Sequence, residues 1–75
     1  MNSQMTQLQY IEGLESIRHM FKPSNYRFIL AEALVYYFSH KTSSPSTIRN
    51  RTNEVLKGRK VEPISLGFVR NLIEN

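Results

Sequence analysis

A bundle of about four helices, all-α throughout, is expected from three features of this 75-residue chain. Tyr26 to Phe38 is apolar apart from Arg27 and Glu32, and it is built mostly from ordinary helix formers. That is the pattern of a helix enclosed by others rather than one lying on a surface. Ahead of it, Leu8, Ile11, Leu14, Ile17 and Phe21 recur at three- and four-residue steps and mark one face of a helix. Behind it, Ser44-Pro45 offers a capping hydroxyl followed by proline at the first helical position. The chain is near the size at which one core is only just sufficient, so a single helical domain over 6–75 is expected, preceded by a disordered tail at 1–5.

The helices are expected at 6–21, 25–40, 45–57 and 63–74. Thr6 and Gln9 have the spacing of a capping box. Gly13 costs the first helix roughly 1 kcal/mol relative to alanine, so packing must hold it. Pro23 disfavours helical geometry at Lys22, and Ser24 or Asn25 can cap the second helix. Within that helix Leu34 to Phe38 also admits a strand, because short apolar runs are ambiguous. His40 to Ser44 is a polar connector. Gly58 can adopt the left-handed geometry that ends the third helix. Pro63 can open the last, with Ile64, Phe68, Leu72 and Ile73 on one side.

The formal charge of +4 is concentrated in one block. Before residue 41 Arg18, Lys22 and Arg27 balance Glu12, Glu15 and Glu32. Residues 41–60 carry Lys41, Arg49, Arg51, Lys57, Arg59 and Lys60 against Glu54 alone, and the remainder is slightly acidic. A local basic patch on a balanced domain points to a polyanionic partner; a solvated charged face is the plainer alternative.

On a helix advancing about 100° per residue, Ile48, Thr52, Val55 and Leu56 form a narrow inward face of the third helix. Ser46, Asn50, Asn53 and Lys57 gather opposite, with Thr47 and Glu54 beside them and Arg49 and Arg51 on the flanks. Hydroxyl and amide side chains facing base edges, with guanidinium groups reaching phosphates, suit a helix in a DNA major groove. An ordinary solvated face remains the competing reading. Such a face would favour Glu, Lys, Gln and Ala, however, and this one gives up intrinsic propensity.

Ser46-Thr47-Ile48-Arg49-Asn50-Arg51 resembles the opening of a helix-turn-helix recognition helix. Leu56-Lys57-Gly58-Arg59-Lys60 and then Pro63-Ile64-Ser65 are similar to the tail of Cro-type phage-repressor and related bacterial repressor domains. The likeness covers about 44–73. It departs from the family at Lys41 to Ser44, where the tight-turn glycine and its buried neighbour would stand, and in a third helix about one turn longer. The resemblance implies a small transcriptional regulator that binds double-stranded DNA as a homodimer. Phosphate contacts would come from Lys41, Arg49, Arg51, Arg59 and Lys60, and sequence preference from Ser46, Thr47, Asn50 and Asn53. Tyr36 and Tyr37 are adjacent and cannot both enter a small core, which gives the second helix a route to dimerisation; partial burial with wet hydroxyls is the alternative.

The same surface could instead dock an acidic protein such as a polymerase or replication factor, as an interaction module or inhibitor. RNA is less well supported, since no sheet platform of stacked aromatics is expected. His19 and His40 lie far apart and there is no cysteine, so neither a metal site nor any cofactor is expected. No nucleophile has a local base and no glycine-rich phosphate loop exists, so neither an enzyme nor a small-molecule substrate is expected. The opening residues lack the basic and then apolar regions of a signal peptide, and no run is long enough to span a membrane; a cytoplasmic protein without membrane contact is expected.

Overall fold

The computed structural model describes residues 6–74, which form four α-helices and one short 3-10 turn with no strand among them. The expected tail at 1–5 lies outside the described residues. Helix α1 is Gln7–Ser16, α2 Pro23–Ser39, α3 Pro45–Gly58 and α4 Leu66–Ile73. None of them is long and apolar enough to cross a membrane.

Each start has a local cause. The Thr6 hydroxyl accepts the Gln9 amide at 3.1 Å while the Gln9 side chain accepts the Thr6 amide at 3.0 Å, so the capping box closes. The Ser44 hydroxyl accepts the Thr47 amide at 3.3 Å, and Pro45 takes the first position of α3. Helix α2 starts earlier than expected: Lys22, in extended backbone, precedes it and Pro23 is its first residue, so neither Ser24 nor Asn25 caps it. Leu34 to Phe38 are helical, which removes the strand alternative.

Three other boundaries differ from the sequence-based expectation. Helix α1 ends at Ser16 rather than 21, and the chain tightens into a 3-10 turn over Arg18–Met20. That turn sets the Arg18 guanidinium 4.6 Å from the centre of the Tyr26 ring. At the end of α3 the left-handed residue is Lys60 (φ 59°), not Gly58, which remains helical. The Val61 amide bonds the Leu56 carbonyl at 2.8 Å and the Lys60 amide bonds that of Lys57 at 3.1 Å. These two bonds are the Schellman pair, with Val61 packed on the core beyond them. Finally, α4 opens at Leu66 because the Ser65 hydroxyl, not Pro63, supplies its cap, accepting the Phe68 amide at 3.1 Å.

Successive helices run in opposite senses. Glu15 at the end of α1 meets Tyr26 near the start of α2, and Tyr10 shares a groove with Ala33 and Tyr36. The end of α2 sits beside the start of α3 and the end of α4, where Ser39, Pro45 and Leu72 line one cleft. The core between them contains Ile11, Leu14, Tyr26, Leu30, Leu34 and Val35, closed by Ile48, Leu56, Ile64 and Val69. In α3, Ile48, Thr52 and Leu56 are completely buried. At about 1.5–3 kcal/mol per buried aliphatic side chain, Ile48 and Leu56 outweigh the helix's unfavourable Ser, Thr and Asn content. Packing, rather than propensity, therefore holds α3 and orients its outer side.

Candidate nucleic-acid interface

The side of α3 opposite Ile48 and Leu56 carries Ser46, Asn50, Glu54 and Lys57, all exposed, with Arg51 exposed on one flank. Thr47 and Arg49 are half-buried at its borders. Among the described residues the side chains of Arg51, Lys57 and Lys60 make no hydrogen bond or ion pair, so their charges face solvent unneutralised. Arg49 behaves differently. Its Nε and Nη2 donate to the Asn50 Oδ1 at 3.2 and 3.0 Å, which occupies the acceptor that Asn50 would need for two-point pairing with adenine. Asn50 keeps its amide donors. Lys41, in the connector before α3, lies 5.0 Å from the centre of the Tyr37 ring and stays exposed.

Two of the expected contact residues are turned to internal use. Asn53 does not point outward: its Nδ2 donates to the Ile64 carbonyl at 3.1 Å and its Oδ1 accepts the Ile64 amide at 2.8 Å. The link after α3 runs back along that flank and needs both bonds, because Ile64 is buried and its backbone would otherwise lack partners. Arg59 is likewise committed. Its Nη1 donates to the Ile11 carbonyl at 3.1 Å and lies 3.8 Å from a Glu15 oxygen, with only a fifth of the side chain exposed. Neither is positioned to meet a duplex.

Glu15 is the anchor of that second arrangement. The Tyr26 hydroxyl donates to it at 2.7 Å, and Arg18 approaches to 3.7 Å. The Tyr26 hydrogen bond is the main influence holding the Glu15 carboxyl below its ordinary range; Arg18 and Arg59 act in the same direction, and partial desolvation opposes them. Burial is the main cause pushing the Tyr26 hydroxyl up, reinforced by its bond to the carboxylate. Arg18 also donates to the Arg59 carbonyl at 2.9 Å, which joins the 3-10 turn after α1 to the cap of α3.

Sequence reasoning passed over Arg18 and Arg27, because residues before 41 carry no net charge. The fold sets both beside Lys60. Arg27 donates from Nε to the Glu62 carbonyl at 3.2 Å and from Nη2 to the Pro63 carbonyl at 2.5 Å, without a carboxylate partner among the described residues. Only a long-range arrangement brings these groups together, and no local pattern announces it. The chain matches no protein-family model, no curated protein and no solved structure.

Proposed function

We propose that this chain is a small DNA-binding regulator that lays the outer side of α3 in the major groove of a duplex. The observation that carries the reading is the grouping of exposed Ser46 and Asn50 with exposed Arg51 and Lys57, two cations whose side chains have no partner among the described residues. Cations placed so can neutralise phosphates and release counterions, while the short polar groups between them reach base edges. Lys41 and Lys60 extend the positive field past both ends of the helix. With Asn53 and Arg59 engaged internally, the contacting set is Lys41, Ser46, Thr47, Arg49, Asn50, Arg51, Lys57 and Lys60.

One module of this size offers limited contact area, so the reading includes a homodimer on paired half-sites. Phe28 and Tyr36, exposed along the outer row of α2, provide apolar surface for it. Docking on an acidic protein is the second reading. It is favoured by one observation: the Asn50 acceptor is already occupied by Arg49, which matters for base reading and not for charge pairing.

A polarisation titration of labelled duplexes tests the choice. DNA reading predicts that Asn50→Ala narrows the gap between a selected and a random duplex by about 1–3 kcal/mol while binding to random duplex changes little. A variant that binds neither duplex worse nor less selectively removes base reading and leaves the acidic-protein alternative.

A further inference from the structure

A cavity of about 300 Å³ lies on the far side of the α3 terminus, between the start of α2 and the link that follows Lys60. Arg18, Arg27 and Lys60 line it, together with Tyr26, Ser24 and Glu62. Each cation comes from a different element: the 3-10 turn, α2 and the Schellman turn. Including Arg59 and Glu15 just behind the wall, four cationic side chains face two carboxylates, an excess of two positive charges. The four are not equivalent. Arg18 is offset by Glu15, Arg59 is spent on Ile11 and Glu15, and Arg27 holds two carbonyls but retains its full charge. Of these four, only Lys60 has a side chain that makes no hydrogen bond or ion pair among the described residues, and its left-handed backbone is fixed by the two amide bonds on either side.

We infer that this cavity is a phosphate-binding site, with Lys60 as its mobile contact and Arg27 as its fixed one. The site shares Lys60 with the proposed duplex contacts, but binding of free phosphate there does not require α3 to enter a groove. A guanidinium held by backbone carbonyls is pre-oriented, so little freedom is lost when an oxyanion arrives. A lysine on a four-carbon stem adds a point charge from the other wall, and the hydroxyl of Ser24 supplies a neutral donor. The volume is at the lower limit of small-molecule sites, about 300–1,000 Å³, which suits one phosphoryl group better than a whole nucleotide. The dipole of α2, which begins at Pro23, has the same sign. The phosphoryl group could belong to a DNA backbone or to free phosphate.

The test is an NMR titration of the full chain with inorganic phosphate at constant ionic strength, repeated with acetate and with Lys60→Gly. Glycine is the residue a left-handed helix-terminating position favours, so this variant removes the charge without endangering the turn. Saturable shifts confined to the amides of 24–27 and 60–62, weakened at least about tenfold in Lys60→Gly, are expected. Lys60→Arg should retain them. A short duplex that displaces the phosphate identifies the backbone as the natural source; one that does not identifies free phosphate. Shifts that do not saturate, that acetate reproduces equally, or that survive in Lys60→Gly would overturn the site.

Discussion

Asn53 grips the backbone of Ile64 from both sides, donating to its carbonyl at 3.1 Å and accepting its amide at 2.8 Å. Eleven residues separate the two, and the pair fixes how the link after α3 returns to the bundle. Ile64 is thereby buried without leaving its own polar groups unpaired.

Asn53→Ala should cost about 1–3 kcal/mol of stability, since it removes two hydrogen bonds and strands a buried amide and carbonyl. Asn53→Asp should cost at least as much, because a carboxylate oxygen then faces the Ile64 carbonyl. Urea unfolding measures both. An Asn53→Ala protein of wild-type stability would show that the clasp contributes nothing.

Thr52 offers the opposite case. It is completely buried in α3 and its hydroxyl has no partner among the described residues. Thr52→Val keeps the branched shape and removes the unpaired hydroxyl, so it should stabilise the fold by about 1 kcal/mol. The change in thermal midpoint reads this directly. A loss of stability would mean the hydroxyl is satisfied in solution.

The hold on α1 should depend on pH. Glu15 ionises more readily in the folded chain than in the unfolded one, chiefly because of the Tyr26 hydrogen bond. Its contribution is therefore present above the ordinary carboxyl value of 4.5 and fades as pH falls through the lowered folded value. At neutral pH Glu15→Gln should unfold at lower urea than the wild type, and the gap should close in acid. A gap of constant size from neutral to acid pH would contradict the linkage.

Arg59→Ala should loosen α1 more than it weakens the rest, because its guanidinium bonds the Ile11 carbonyl and approaches Glu15. Hydrogen exchange should accelerate in Gln7–Ser16 while α3 amides remain protected. Uniform acceleration across the bundle would mean that α1 is not a separate cooperative unit.

What the sequence made legible was local. Thr6 with Gln9, and Ser44 with Pro45, act within one helical turn, and both close as expected. The start of α4 was not legible, because Asn53, eleven residues earlier, holds the Ile64 backbone and leaves Ser65 to cap the helix. Gly58 was the obvious left-handed residue, yet the turn extends two residues further, where Val61 can reach both the Leu56 carbonyl and the core. The same limit governed the candidate interface. Helical angles place Asn53 on the polar side, but they carry no information about a link that folds back over that flank. Arg59 looked like a free cation because its partners, Ile11 and Glu15, lie more than forty residues earlier.

The proposal about α3 is tested most directly by mapping a random duplex on the isotope-labelled protein at two salt concentrations. Shifts should concentrate at Ser46, Asn50, Arg51 and Lys57 and weaken as salt rises, with Lys57→Ala lowering the salt slope by about one. Shifts centred on α1 or the outer row of α2, or no response to duplex at low salt, would contradict it.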